Sequence, residues 1–151
     1  MSQAQSMPQA SSLNLGDPDA FTRKRLLYIA MPYSAPTKQG IADNIEAARS
    51  FVRDYMPRDP HVLPVLPHNM GLGIECIGDD QYWYDATASV LLRCDAMIAG
   101  PGWEDSKGCH KEVKLAIRHH IQCFRWVYSD PVRERIRYFI EHIRNQPPRL
   151  T

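Results

Sequence analysis

Short apolar runs alternate along the chain with longer amphipathic segments. The apolar runs have the length of buried strands and cover residues 25–31, 61–67, 95–99 and 122–127. Pro64, inside the second run, removes a backbone donor, which either weakens the strand prediction there or places that strand at a sheet edge. Because strand and helix patterns alternate, the sequence predicts an α/β fold. We expect a three-layer, flavodoxin-like or Rossmann-like parallel sheet of four to five strands with helices on both faces.

The amphipathic segments repeat apolar residues at the spacing of one helical face. They predict helices within residues 41–56, 79–94, 106–120 and 131–143. Asp79 and Asp80 stand where a helix N-terminus favours acidic residues. Ser106 is suited to cap the third helix, and Pro131 to the first position of the fourth.

The first part of the chain has a different composition. Residues 1–23 are rich in Ser, Gln, Ala and Pro and contain few large apolar side chains. Such a segment cannot offset the entropy lost on ordering, so it predicts a disordered N-terminal tail. The remaining residues, 24–151, fit one domain on length alone.

Composition and charge exclude several classes of function. The formal net charge is +1, which argues against a protein dedicated to binding a nucleic-acid polymer. No apolar run approaches the length that spans a membrane, so we expect no membrane partner. The four cysteines form no Cys-x-x-Cys pair, and a reduced, cytoplasmic protein is the simplest interpretation.

The stretch 102–112 carries the chemistry of greatest interest, because it follows a predicted strand and opens a helix. Backbone N–H groups at a helix start attract anions, the Ser106 hydroxyl adds a polar group, and Gly108 permits close approach. Gly108, Glu112 and Ala116 lie one turn apart on one stripe. Glu112 is therefore a carboxylate within reach of the strand ends, where it should contribute little to stability. The alternative is an ordinary solvated glutamate paired with a lysine.

Other polar and aromatic residues lie near predicted strand ends. His68 and Asn69 follow the second strand, where they would contact a ligand or cap a loop. Trp103 would stack on a base or cover the end of the sheet. The chain lacks a phosphate-loop or dinucleotide fingerprint, and His110-Lys-Glu112 has no Pro-Cys-x-x-Cys partner. We therefore expect no metal and no cofactor.

Three stretches, 28–34, 91–97 and 101–112, resemble in order the nucleoside 2-deoxyribosyltransferase-like superfamily, closest to its uncharacterised bacterial and phage branch. The Ser-x-Gly-x-x-x-Glu spacing in the third stretch is also similar to that of the 2'-deoxynucleoside 5'-phosphate N-hydrolases. The resemblance covers roughly residues 25–126 and rests chiefly on the third stretch.

The resemblance implies roles for particular residues. Glu112 matches the catalytic glutamate that attacks the anomeric carbon of the sugar, a reaction with an oxocarbenium-like transition state. Ser106 and Gly108 match residues that hold the 5' end of the substrate. Tyr33 and Ser34 lie in the loop that lines the family's pocket, and the Tyr33 hydroxyl would orient Glu112.

The chain departs from the family pattern at two positions. Met31 stands where relatives commonly carry glycine, and Thr87 stands where some relatives carry an acid that assists the leaving base. Asp85, two residues earlier and on another helix face, is the nearest candidate for that acid.

The resemblance implies hydrolysis or transfer at the N-glycosidic bond of a nucleoside 5'-monophosphate or nucleoside, with release of the free base. The expected partner is thus a small-molecule nucleotide or nucleoside. Members of the superfamily commonly assemble with pockets shared between subunits, so the resemblance also implies a homo-oligomer. The alternative is a catalytically inactive nucleotide-binding or sensor module.

Overall fold

Four parallel strands form the sheet at the centre of the structure. The computed structural model describes residues 16–129 and 131–149. Strand β1 spans Arg25–Ala30, β2 Val62–Val65, β3 Ala96–Ala99 and β4 Gln122–Arg125. The order across the sheet is β2-β1-β3-β4, and every pairing is parallel. The predicted α/β class is confirmed, and the Pro64-containing strand lies at an edge.

The four helices follow the strands in alternation: α1 spans Lys38–Tyr55, α2 Asp80–Leu91, α3 Lys107–Arg118 and α4 Val132–Arg144. The Ser106 side chain caps α3, as predicted, and Asp79, expected near the start of α2, is the residue whose side chain caps that helix. The start of α1 is earlier than predicted, because Thr37 caps it by accepting from the Gly40 N–H at 3.0 Å. Pro131 precedes the first residue of α4 instead of occupying it, which corrects the prediction by one position.

Alternate residues of the strands face opposite layers of helix. Leu27, Ile29 and Ile98 belong to a core that includes Phe51 of α1 and Ile136 of α4. Tyr28, Ala30 and Met97 belong to a second core, to which α2 contributes Leu91 and α3 contributes Cys109 and Val113. The period of two along a strand thus produces the three predicted layers.

The strand order reverses at β1. The chain moves from β1 to β2 on one side and then returns to place β3 on the other side. The helices that make these two crossovers, α1 and α2, lie on opposite faces of the sheet. Connections that diverge in this way leave a crevice at the carboxyl ends of the strands, which is where α/β proteins bind ligands.

The amino end of the sheet is closed by a hydrogen-bonded pair, Asp95 and Arg149. The Asp95 carboxylate accepts from the Leu26 N–H at 2.8 Å and from the Arg149 N–H at 2.6 Å. The Arg149 guanidinium donates to three carbonyl oxygens near the ends of α2 and α3, those of Leu92, Cys94 and His119. One side chain therefore satisfies helix-end carbonyls that otherwise need water or a cap.

The described part of the predicted tail, residues 16–23, contains no helix or strand, and its residues are exposed. Residues 1–15 lie outside the described residues, so the disordered tail stays a prediction. No helix in the described part of the chain combines the length and apolar character needed to cross a membrane.

Replacing Asp95 with alanine should destabilise the fold, because two partly buried N–H donors lose their acceptor. We expect the free energy of unfolding in urea to fall by about 2–3 kcal/mol with an unchanged m-value. Asp105→Ala is the matched control, since Asp105 is exposed and should change stability by less than about 0.5 kcal/mol. Equal, small effects of both variants would contradict the role of Asp95.

Candidate functional site

A tyrosine and a glutamate meet between β1 and α3. Tyr28 is fully buried on the face of the sheet that α2 and α3 cover. Its hydroxyl lies 3.2 Å from Oε1 of Glu112, which is half-buried in the second turn of α3. The sheet thus presents a neutral hydroxyl to a carboxyl group on the helix.

Burial changes the proton affinity of this pair. Loss of hydration raises the pKa of Glu112 to about 7, and the hydrogen bond with Tyr28 partly opposes the rise. Burial and the neighbouring Glu112 together raise the pKa of the Tyr28 phenol, which therefore stays a donor. At neutral pH the carboxyl group is divided between its acid and its ionised form. Such a group acts as a base or nucleophile as the pH rises.

Glu112 is not the solvated, lysine-paired residue of the alternative interpretation. No Lys or Arg within residues 16–129 and 131–149 forms an ion pair with it. Lys111, its neighbour in sequence, lies instead over the ring of Tyr84, 5.0 Å from the centroid. Within the part of the chain that the structure describes, the hydrogen bond that holds the carboxyl group therefore comes from the Tyr28 hydroxyl, and no cation pairs with it.

Thr87 and Asp85 occupy different sides of α2. Thr87 is half-buried and interacts with the Tyr28 hydroxyl, which lowers the pKa of that phenol against the effect of burial. Asp85 is exposed and accepts from the Gln81 side chain at 2.9 Å. Two residues correspond to about 200° around a helix, which explains the separation. The structure thus brings Thr87, and not Asp85, to the Tyr28–Glu112 pair.

The loop after β1 contains Tyr33 and Ser34, and α1 holds it by its backbone. The Asn44 amide donates to the Tyr33 carbonyl at 3.0 Å and to the Ser34 carbonyl at 3.4 Å. Tyr33 is 43% exposed, and its ring meets that of His68 edge-on at 6.0 Å between centroids. The tyrosine that contacts Glu112 is Tyr28, and among the described contacts none joins Tyr33 to Glu112, so the structure does not support the orienting role expected of Tyr33.

His68 also supports this loop. It is only 5% exposed, and its Nε2 lies 3.1 Å from the carbonyl oxygens of both Met31 and Pro32. Two acceptors at one nitrogen place the proton on Nε2, and burial lowers the pKa of the ring, so it is neutral. Asn69 accepts from the Arg49 guanidinium at 2.9 and 3.1 Å. Both contacts favour the loop-capping interpretation of these residues over ligand binding.

Trp103 covers the carboxyl end of the sheet. Its indole N–H donates to the Trp126 carbonyl at 3.1 Å, and its ring packs against both cores. Gly102, immediately before it, has a φ of 85°, a conformation that favours glycine. These contacts support the structural interpretation of the Trp103 ring.

The start of α3 leaves an open surface beside Ser106. The Ser106 oxygen accepts from the Cys109 N–H at 3.2 Å, and the Ser106 side chain also interacts with the Cys109 thiol. Gly108 is exposed, and a Cβ built there would meet only the Ser106 oxygen, at 3.9 Å. Glycine in a helix is less stable than alanine by about 0.5–1 kcal/mol, and no internal contact requires it here. The open position suits a ligand that approaches the backbone closely.

Comparisons with known proteins assign neither a family nor a function. No protein-family model matches the chain, and no curated protein gives a significant match. The resemblance to the deoxyribosyltransferase-like superfamily therefore stays a prediction that rests on the residues 28–34, 91–97 and 101–112. The contact between Tyr28 and Glu112 marks a candidate site without reference to any relative.

The raised pKa of Glu112 makes the stability of the protein depend on pH. The folded state holds this proton more tightly than the unfolded state, where the pKa is near 4.5. The resulting stabilisation is complete below pH 4.5 and is lost as the pH rises through about 7. Glu112→Gln removes that loss, so it should raise the free energy of unfolding at pH 8.5 by on the order of 2–3 kcal/mol.

At pH 5 the same substitution should have little effect, because Glu112 is then protonated in the folded protein. Urea unfolding of both proteins at the two pH values measures the difference. Glu104→Gln, at an exposed position, is the control and should show no pH-dependent difference. A difference for Glu112→Gln that does not grow with pH would refute the perturbed pKa. The expectation that this carboxylate hardly affects stability is thereby revised.

Proposed function

We propose that the chain is a cytoplasmic, homo-oligomeric N-glycosidase that uses Glu112 as its nucleophile. It would hydrolyse the N-glycosidic bond of a nucleoside 5'-monophosphate or nucleoside, or transfer the sugar to a second base. The observation that carries the proposal is the 3.2 Å contact between the Tyr28 hydroxyl and Oε1 of a half-buried Glu112. This contact fixes the carboxyl group near the carboxyl end of a parallel sheet, where ligands bind.

The chemistry requires a carboxylate in such surroundings. Oε2 of Glu112, which the Tyr28 contact leaves unused, would attack the anomeric carbon while the C–N bond breaks and its electron pair leaves with the base. The transition state is oxocarbenium-like and positive, so an ionised carboxylate with no competing cation stabilises it. Water would then attack the anomeric carbon of the glycosyl ester and release the sugar and Glu112.

The start of α3 would hold the 5' end of the substrate. The free N–H groups of the first turn and the Ser106 hydroxyl are donors, and Gly108 leaves room above them. Lys107 and Lys111 are exposed on the same helix and add positive charge. These features favour a phosphate over a bare hydroxyl, and hence a nucleotide over a nucleoside.

A nucleotide-binding or sensor module without turnover is the second candidate, and one observation favours it. Within the described residues, the side chain that hydrogen-bonds the Glu112 carboxyl group is Tyr28, whose raised phenol pKa makes it a poor proton donor to a leaving base. A leaving base would therefore take its proton from solvent, or would have to leave easily without one. Stabilisation by a nucleoside monophosphate without release of base would identify the sensor.

Glu112→Gln should abolish turnover while binding persists, because the amide keeps the shape but not the charge. We expect base release from nucleoside monophosphates, followed by chromatography, to fall at least roughly a thousandfold, or about 4 kcal/mol of barrier. A 2-fluoro sugar analogue should leave a covalent adduct on the wild type, detected by mass spectrometry, and none on the variant. The wild-type rate should increase as the pH rises through about 7.

Glu104→Gln is the matched control on the turn before α3 and should retain full activity. Near-normal base release by Glu112→Gln would refute the nucleophile assignment. Failure of the wild type to release base from any tested monophosphate, together with ligand-induced thermal stabilisation, would favour the sensor.

Substitution of Ser106 should show whether this residue binds the phosphate of the ligand or its nucleoside part. Ser106→Ala removes the hydroxyl donor, so it should weaken binding of a nucleoside monophosphate about tenfold and hardly affect the matching nucleoside. Ser106→Asp keeps a capping oxygen but brings negative charge, and should weaken the monophosphate further. Calorimetric titration of both ligands measures the difference. Equal losses for the two ligands would show that the phosphate lies elsewhere.

A further inference from the structure

A second cleft opens at the carboxyl end of β4, apart from the Tyr28–Glu112 pair. It has a volume of about 440 Å³, within the roughly 300–1,000 Å³ that small-molecule sites occupy. Neither Glu112 nor Ser106 lines it. Its walls come from the turn before α3, from β4 and from the first turn of α4. The lining residues are Trp103, Cys123, Phe124, Arg125, Val127 and Arg135.

Positive charge in this cleft is not compensated by the described residues. No lining residue carries a carboxylate. The Arg125 guanidinium forms no hydrogen bond or ion pair with the described part of the chain, and the Arg135 guanidinium donates there only to the neutral Ser129 hydroxyl, at 2.7 Å. Arg144, by contrast, pairs with the Asp59 carboxylate at 2.9 Å. Two guanidinium groups without a counter-charge favour an anion.

The backbone N–H groups of the edge strand β4 also favour an anion in this cleft. The Trp126 N–H donates inward to the Ala99 carbonyl at 2.8 Å. Because successive N–H groups of an extended chain point in opposite directions, those of Arg125 and Val127 point away from β3, toward the open edge. Both residues line the cleft, and β4 is an edge strand, so no further strand of the described sheet pairs with these outward N–H groups. Unpaired donors beside guanidinium groups are suited to the oxygens of a phosphate or carboxylate.

The remaining wall is aromatic. Trp103 uses its N–H on the Trp126 carbonyl, so it offers the cleft its ring rather than a donor. The Arg135 guanidinium lies over the Phe124 ring, 5.6 Å from the centroid, which holds both side chains in place. We propose that this cleft binds a small anion that carries a flat apolar group, such as an aromatic phosphate or carboxylate.

Phenyl phosphate is a suitable probe, titrated into the full chain and followed by amide and indole NMR shifts. We expect saturable shifts of the Trp103 indole and of the Arg125 and Val127 amides, with a Kd below about 1 mM. Inorganic phosphate should bind at least about tenfold more weakly, and the neutral benzyl alcohol should give no saturable shift. Absence of saturable binding by phenyl phosphate up to 10 mM, ~10 times that Kd, would overturn the proposal.

Two variants and two controls locate the binding. Arg125→Gln and Arg135→Gln should each weaken phenyl phosphate at least about tenfold with an unchanged melting temperature. Arg137→Gln is the matched control on α4, since Arg137 is exposed and lies over its neighbour Tyr138 outside the cleft. Ser106→Ala should likewise leave the affinity unchanged. Equal losses in Arg137→Gln, or probe shifts centred on the start of α3, would contradict the assignment. Neither outcome depends on glycosidase activity.

Discussion

Burial of strand β1 on both faces and both edges is the constraint from which the candidate site follows. Its last four residues are completely buried, so each polar group they carry needs an internal partner. The Tyr28 hydroxyl contacts Glu112, and earlier in the strand the N–H of the partly buried Leu26 donates to Asp95. Beyond the strand, the Met31 and Pro32 carbonyls find His68. The central strand therefore positions the carboxyl group and the loop beside it at the same time.

The same burial sets the chemistry of Glu112. A carboxyl group in water is ionised well below neutral pH and is a weak nucleophile because it is well hydrated. Here its hydration is reduced, no cation of the described residues forms an ion pair with it, and one hydroxyl holds one oxygen. Folding thus places Glu112 where its ionised form is unfavourable. A positively charged transition state beside the carboxylate would stabilise that form. Proteins commonly accept lower stability at such points in exchange for reactivity.

Most of the fold could be predicted from the sequence, because periods of two and of 3.6 residues reveal strands and helices locally. The caps at Asp79 and Ser106, the edge position of Pro64 and the stripe containing Glu112 were accessible for the same reason. The cap at Thr37 could not be predicted in this way, because the first residues of α1, Lys38 and Gln39, are exposed and add no apolar residue to the pattern.

Contacts between residues that are far apart in the sequence could not be predicted from local patterns. A tyrosine in an aliphatic strand signals that its hydroxyl needs a partner, yet the sequence does not say which helix residue faces it. The same holds for Arg149, whose oxygen partners come from two helices, and for the unpaired arginines of the β4 cleft. These pairings appear only when the register of the sheet and the rotation of each helix are known.

The hydrogen-bonded pair of Asp95 and Arg149 affects when the amino end of the sheet can close during synthesis. The ribosome synthesises β1, β3 and their crossovers well before residue 149, so the nascent sheet can pair while Asp95 still lacks one of its donors. Until then, carbonyls at the ends of α2 and α3 remain hydrated and the amino end of the sheet is open to exchange. Closure of that end therefore requires Arg149, and a chain without this residue would leave the amino end of the sheet without these hydrogen bonds.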